Sequence, residues 1–275
     1  MNNNPQQTNT NPNQVTILMP GIWYGTKKSE ASICKIKSDL EKVTCEKDFI
    51  LLIVELLKAG DFSVKQSLLQ LMNSTQDQAV LNLCIRVFCS IATHDDLIKE
   101  ENLSFLADAT DFIAHTFAAS APETLSYEVV PYLLAMLEYW EDTYVEKTVR
   151  ISLDSILDYS STISEEADVE EIGSIYLEQV QSLDTEIYYY EQLPVHPGYL
   201  TKRLVEDAFI SLHKNTKLKM YIIPSLLSIW SGEECPVAYN SIIDNETIKT
   251  LKEYVHTLSN FHWETGKKYF YSVEI

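Results

Sequence analysis

The amino-acid sequence predicts an all-α fold built from stacked pairs of antiparallel helices. Apolar residues recur with a helical period from Ser29 almost to the C-terminus. Only 7 of the 275 residues are glycine, whereas hairpin-rich β folds need glycine in their tight turns. In addition, one helix–turn–helix unit occurs twice. The 45% of hydrophobic and 22% of charged residues are ordinary for a globular protein.

The N-terminus differs in character from the rest of the chain. Residues 1–14 are almost all Asn, Gln, Thr and Pro, which predicts a disordered polar tail. They contain neither the cationic start nor the apolar stretch of a secretory signal. Residues 15–24 are apolar but are interrupted by Pro20-Gly21, so we expect an extended arm here.

After this arm the apolar spacing predicts eleven helices. Some begin beside a residue such as Asp77, whose side chain can accept hydrogen bonds from free backbone N–H groups. The longest apolar run, 49–57, is too short to cross a bilayer, so we expect no membrane association. The predicted helices are 29–43, 46–59, 63–74, 77–92, 102–119, 125–140, 143–159, 168–182, 198–214, 217–231 and 245–261.

The internal repeat covers residues 68–91 and 133–156, which align without gaps at an offset of 65 residues. Each copy has an apolar helix, a polar turn with an aspartate (Asp77 or Asp142) and a second amphipathic helix. One such pair cannot bury both of its apolar faces, so it must stack on neighbouring pairs.

The second copy resembles a HEAT repeat. Its first helix opens at Pro131, Asp142 lies in the turn, and Val149-Arg150 lies in the second helix. In that family's pattern the Asp and Arg tie adjacent helix pairs together. The first copy departs from it, because Arg86 falls one position later than Arg150. We therefore predict an irregular HEAT-like α-solenoid, with a compact helical bundle as the alternative.

Charge is the strongest compositional signal. The chain has 40 acidic and 21 basic residues, for a net charge of −19. Residues 138–191, called the acidic segment below, contain 15 acidic residues but only Lys147 and Arg150 as bases. Residues 198–275 contain nine of each. Such a field repels nucleic acid, whose binding requires cations, and attracts basic proteins. A surface that only keeps the protein soluble is the alternative.

The sequence contains no recognisable catalytic or metal-binding motif. Glycine-rich phosphate cradles and H-E-x-x-H are absent, and the six histidines never pair at metal-ligand spacing. The five cysteines are widely spaced, which favours reduced thiols in a cytoplasmic protein, with Cys84 on an apolar helix face. His94-Asp95-Asp96 and Glu165-Glu166 are better explained as helix starts. We therefore predict no enzyme activity, metal or cofactor.

Aromatic and acidic groupings suited to a protein interface remain. Tyr139-Trp140-Glu141-Asp142 ends a repeat helix, and Trp230 is followed by Glu233-Glu234. Tyr and Trp are enriched among binding hot spots because they give large rigid contact areas. The alternative for Trp140 and Trp230 is core packing, since both continue an apolar stripe. The candidate partner-binding residues are Glu138, Glu141, Asp142, Glu146, Tyr188, Tyr189, Tyr190, Glu233 and Glu234.

Residues 185–198 form the longest break in the helical pattern. Three consecutive tyrosines, two prolines and a glycine predict a rigid exposed loop. All three tyrosines cannot be buried together on one element, so we expect at least one to be exposed. This loop separates the acidic segment from the charge-balanced part. We expect one helical domain over residues 15–275, with a subdomain boundary near 185–198.

Five stretches together resemble a bacterial polymorphic-toxin immunity protein of the immunity family numbered forty-seven. They are ILMPGIWYG (17–25), LNLCIRVFCSIATHDDL (81–97), LSYEVVPYLLAMLEYWEDT (125–143), SIWSGEECPV (228–237) and KKYFYSVEI (267–275). The resemblance spans residues 15–275. It implies a cytoplasmic antidote that binds and neutralises a cognate toxin, but it identifies neither the toxin's activity nor toxin-contacting residues.

The charge fits this role, because many nuclease toxins are basic in order to hold phosphate backbones. Our hypothesis is that Glu138, Glu141, Asp142 and Glu146, with the tyrosine loop, form part of a toxin-binding surface. A HEAT-like scaffold or adaptor that binds other cellular proteins is the alternative, and an enzyme would need a buried titratable cluster in a cleft.

Overall fold

The computed structural model describes residues 30–275, with side chains from Ser32 onward, so the predicted tail and arm lie outside the described residues. The described chain is mostly helical, which confirms the all-α prediction. Its α-helices are α1 Glu30–Leu40, α2 Glu46–Lys58, α3 Lys65–Ser74, α4 Gln78–Ile91, α5 His94–Ile98, α6 Asp111–Ser120, α7 Val130–Tyr139, α8 Tyr144–Leu157, α9 Val169–Val180, α10 Pro197–Lys214, α11 Ile222–Ser231 and α12 Asn245–Leu258.

The two repeat copies form helix pairs, as predicted: α3 packs on α4, and α7 packs on α8. Helices α2, α4, α6 and α8 pack in a row, each beside the next. The core between the helices includes Phe88, Phe117 and Leu153, which are fully buried. Burying such side chains stabilises the fold by about 1.5–3 kcal/mol each. The HEAT-like solenoid stays a prediction.

Two of the predicted helices differ in the structure. The predicted helix 102–119 is a 3₁₀ helix, Glu100–Asp108, followed by α6, because Thr110 is extended and caps α6. The predicted helix 217–231 begins only at Ile222, since Lys217 pairs with Ile242 in an antiparallel bridge. In the repeat turns, Asp77 caps α4, whereas Thr143 and not Asp142 caps α8.

Two short β-hairpins were not predicted. The first pairs β1 (Tyr189–Tyr190) with β2 (Leu193–Pro194), and the second pairs β3 (Tyr269–Phe270) with β4 (Val273–Glu274), both antiparallel. Both two-residue turns have positive φ, although Asn and Gly usually occupy such turns. In the second turn the backbone N–H groups of Tyr271 and Ser272 donate to the last carbonyls of α11, which compensates for the unfavourable turn residues.

The residue directly before the C-terminal hairpin is a fully buried lysine. Lys268 is 0% exposed, and its Nζ donates to the carbonyl oxygens of Cys89 (2.8 Å), Ala92 (3.1 Å) and Thr124 (3.2 Å). Cys89 and Ala92 lie at the C-terminal end of α4, where unpaired carbonyls carry partial negative charge. This side chain therefore ties the end of the chain to helices about 140–180 residues earlier.

Lys268 should make stability depend on pH. Burial lowers its pKa from 10.5 to about 7, whereas the unfolded chain holds this proton to much higher pH. Above pH 7 the unfolded state therefore binds more protons, so the free energy of unfolding should rise between pH 7 and about 8.5. At higher pH the buried thiols of Cys84 and Cys89 oppose the rise, because burial raises their pKa above that of unfolded cysteine.

Urea unfolding of the wild type and of Lys268→Met at pH 6.5, 7.5 and 8.5 measures this dependence. The variant cannot titrate at this position, so its free energy of unfolding should rise less with pH than that of the wild type. Equal pH slopes for the two proteins would contradict the prediction.

Candidate functional site

The turn between α7 and α8 carries two exposed tyrosines and three of the predicted acidic candidates. Tyr139 is 79% exposed and Tyr144 is 55% exposed, and Glu138, Glu141 and Asp142 are exposed around them. We call these five residues the α7–α8 surface. An exposed tyrosine pair surrounded by carboxylates has the composition of a protein-binding hot spot with a polar rim.

Both tyrosines are held in place by their neighbours. The ring of Tyr139 lies edge-on to Trp140, with 5.2 Å between centroids, and Trp140 packs partly against the core. Tyr144 lies 5.6 Å from the ring of His115 on α6. Burial and the carboxylate of Asp111, also on α6, raise the pKa of Tyr144. The two rings are therefore partly ordered before any partner binds, which reduces the entropy lost on binding.

Glu146 has a structural role that the sequence did not reveal. Its carboxylate accepts hydrogen bonds from the backbone N–H of Asp142 (2.8 Å) and from Nε of Arg150 (2.8 Å). The bond from Arg150 lowers the pKa of Glu146. Asp142 has a φ of 60°, a left-handed conformation that Asp tolerates better than most residues. Glu146 thus stabilises the turn that presents Glu141 and Asp142.

Arg150 joins α8 to the loop that precedes α9. Its guanidinium donates to the carbonyl oxygens of Ala167 (2.8 Å) and Glu165 (3.3 Å). The HEAT resemblance implies that the Asp and Arg tie adjacent helix pairs together. Arg150 does contact the next element, but through these carbonyls and Glu146, while the carboxylate of Asp142 stays exposed.

An open groove of about 540 Å³ lies beside Arg150. Its wall continues the α7–α8 surface, because Thr143 at the start of α8 also lines it. Ile151 is 54% exposed and provides an apolar patch in the groove. The charged side chains that line the groove are Glu146, Lys147, Arg150, Asp154, Glu165 and Glu166, so carboxylates outnumber cations.

The acidic segment as a whole faces solvent. Twelve of its 15 acidic side chains are exposed, and only Glu146, Asp154 and Glu191 are half-buried. Glu191 is engaged in an ion pair with Arg203 on α10. The negative charge is therefore available to a partner rather than neutralised inside the protein.

The expectation that at least one of the three consecutive tyrosines is exposed was wrong. Tyr188 is only 5% exposed, and Tyr189 and Tyr190, which form β1, are half-buried. The ring of Tyr188 stacks on the ring of His94, with 4.3 Å between centroids. The backbone N–H of Tyr188 donates to the carbonyl oxygen of Gly266. The N–H of Tyr189 donates to Leu125. Neighbours from several elements share the burial, which a single helix or strand could not provide.

The other predicted candidates lie on a different element. Trp230 is 1% exposed, packed against Trp263 and Tyr269, which supports the core alternative for this residue. Glu233 and Glu234 are exposed in the loop after α11. Helix α11 itself packs mainly on α10 and on the C-terminal hairpin. The structure does not bring them into the α7–α8 surface.

Sequence reasoning missed Tyr144 and Ile151. They are seven residues apart on α8, so they share one helix face, and they interrupt an otherwise polar outer surface. Neither residue stood out in the sequence, because nothing local distinguishes an exposed apolar residue of an amphipathic helix from a buried one.

The described residues contain no cluster of His, Cys, Asp and Glu that could hold a metal ion, and no helix among them is long and apolar enough to cross a membrane. A search of curated proteins and a search of solved structures found no match. A family model described as Immunity protein 47 matches residues 18–275, a range that includes every helix and hairpin described above. The chain therefore belongs to the Immunity protein 47 family.

Proposed function

We propose that this chain neutralises a cognate protein toxin in the cytoplasm by binding it through the α7–α8 surface. Membership of an immunity protein family gives the chain an immunity function, which implies binding to a toxin protein. The observation that carries the choice of surface is the exposed pair Tyr139 and Tyr144 surrounded by the carboxylates of Glu138, Glu141 and Asp142.

The charge of this region supports a basic toxin surface as the partner. Thirteen of the 19 excess negative charges fall in the acidic segment, whose carboxylates are mostly exposed. Complementary charge accelerates association and excludes partners of the wrong sign. The groove beside Arg150 extends the surface, and a lysine or arginine of the toxin fits its carboxylates and the apolar patch at Ile151.

Two further predicted groups have narrower roles in this proposal. Glu146 acts indirectly, by holding the turn, because its carboxylate is already bonded to Arg150. Tyr188 is buried and is left out of the contact surface. Tyr189 and Tyr190 are half-buried, and Glu233 and Glu234 are exposed on another element, so all four are peripheral candidates.

Co-expression with the toxin encoded beside this protein tests the proposal. We expect the wild type to restore growth and the variant Glu138→Lys/Glu141→Lys to lose this protection, with affinity reduced by about tenfold or more. Both side chains are exposed, so circular dichroism should show an unchanged fold.

The matched control is Glu206→Lys/Glu253→Lys, which makes the same charge change on exposed positions of α10 and α12. It should protect as well as the wild type. Equal loss of protection in both variants would indicate general charge attraction, and unchanged protection in the first variant would refute the choice of surface. Failure of the wild type to protect would refute toxin neutralisation itself.

A further inference from the structure

A second exposed surface lies in the charge-balanced C-terminal part of the chain. The segment before α11 and the loop before α12 run antiparallel, joined by the bridge between Lys217 and Ile242. The N–H of Leu218 donates to Ser241 O (3.0 Å), and the N–H of Asn240 donates to Leu218 O (2.8 Å). We give the name lysine–tyrosine patch to five side chains of this ribbon and to Lys214, the last residue of α10. The five are Lys217, Lys219, Tyr221, Tyr239 and Ile242.

The patch exposes large apolar groups in an ordered arrangement. The rings of Tyr221 and Tyr239 stack with centroids 3.7 Å apart and planes 16° apart. Tyr221 is nevertheless 62% exposed, and Ile242 is 74% exposed. Exposed apolar side chains held together on one ribbon are typical of a binding surface, and a pre-stacked ring loses little entropy when a partner covers it.

The lysines of the patch are available to a partner. The Nζ of Lys219 lies 4.8 Å from the ring centroid of Tyr239 and donates to Asn240 Oδ1 (2.6 Å). Lys214 and Lys217 are exposed, and no ion pair joins them to a carboxylate of the described residues. The nearby carboxylate of Asp244 accepts bonds from Thr247 at the start of α12. The three lysines outnumber Asp244, so this surface carries a net positive charge in a chain of net charge −19.

We propose that the lysine–tyrosine patch binds an acidic polypeptide segment that also carries an aromatic or aliphatic side chain. Carboxylates of the segment pair with Lys214 and Lys217, and its apolar side chain packs on Tyr221. Nucleic acid fits less well, because the net charge of −19 repels a chain of phosphates. This patch has the opposite charge to the α7–α8 surface and therefore attracts an acidic partner instead of a basic one. The proposal is independent of the proposed function.

A fluorescein-labelled random copolymer of glutamate and tyrosine is a suitable probe, with polyglutamate and an oligothymidylate of equal length for comparison. Fluorescence anisotropy at low and high salt measures binding to the full chain. We expect the Glu–Tyr copolymer to bind more tightly than either comparison polymer. Lys214→Glu/Lys217→Glu should weaken its binding by about tenfold or more. Tyr221→Ala should remove the preference for the copolymer over polyglutamate.

The control Lys249→Glu/Lys252→Glu makes the same charge change on exposed positions of α12. It should leave copolymer binding near the wild-type value, and circular dichroism should show the same fold for all variants. Equal weakening by both lysine pairs, tighter binding of oligothymidylate, or undetectable binding of the copolymer would each overturn the proposal. Sedimentation provides one further test. If the wild type self-associates and Lys214→Glu/Lys217→Glu is monomeric, a second copy of this chain occupies the patch, and the proposal is overturned.

Discussion

Replacing Lys268 by alanine is expected to lower the free energy of unfolding by about 3–5 kcal/mol. The substitution leaves the carbonyl oxygens of Cys89, Ala92 and Thr124 without their shared donor, in a site that water does not reach. It also opens a cavity where the lysine stem packs, and it loosens the contact between the C-terminal hairpin and the helices around α4.

Urea unfolding followed by circular dichroism at pH 7.5 measures this effect as a lower transition midpoint with an unchanged slope. The adjacent Lys267 is a matched control, because its ammonium lies at the surface, 3.1 Å from Glu274. Lys267→Ala should leave the midpoint nearly unchanged, since exposed ion pairs contribute little. A similar small shift for both alanine variants would show that the three carbonyl bonds do not stabilise the fold.

Replacing Tyr139 or Tyr144 by alanine is expected to weaken toxin binding by about 10- to 100-fold each, if the α7–α8 surface is the toxin interface. Each substitution removes a partly ordered ring that is more than half exposed in the free protein. Because little core packing is lost, the free energy of unfolding should change much less than the binding free energy.

Isothermal titration calorimetry with a catalytically inactive toxin measures the affinity. Ile210→Ala on α10 is the control, since Ile210 is also an exposed hydrophobic side chain, at 48%, but lies outside the α7–α8 surface. It should bind the toxin like the wild type. If Tyr139→Ala and Tyr144→Ala also bind like the wild type, the tyrosines are not binding anchors.

Local patterns in the sequence predicted most of the helices. The repeat at 68–91 and 133–156 corresponds to the observed pairs α3–α4 and α7–α8, because helical periodicity and turn residues act over a few positions. Cys84 was predicted to be buried on an apolar face, and it is 0% exposed. The hairpins were missed because Glu191-Gln192 and Tyr271-Ser272 lack the Asn-Gly signature of such turns.

The candidate site was predicted only in part. Glu138, Glu141 and Asp142 are exposed as expected, since acidic side chains at a helix end are costly to bury. Tyr188 was predicted as an interface residue, yet it is buried by residues distant along the chain. Core packing was one of the two interpretations of Trp230 in the sequence, and its burial supports that one. Tyr144 was overlooked because a large, partly apolar side chain on an amphipathic helix can be buried in the core or exposed for binding, and the sequence does not distinguish the two.

By itself the sequence determined the helical class, the repeated helix pairs, the concentration of negative charge in residues 138–191 and the resemblance to an immunity family. These properties depend on composition and on neighbours within one or two helical turns. Only the tertiary structure decided that Lys268 and Tyr188 are buried and that Tyr139 and Tyr144 reach solvent. The exposure of a side chain depends on contacts such as the one between Lys268 and Cys89, 179 residues apart, and no local pattern encodes them.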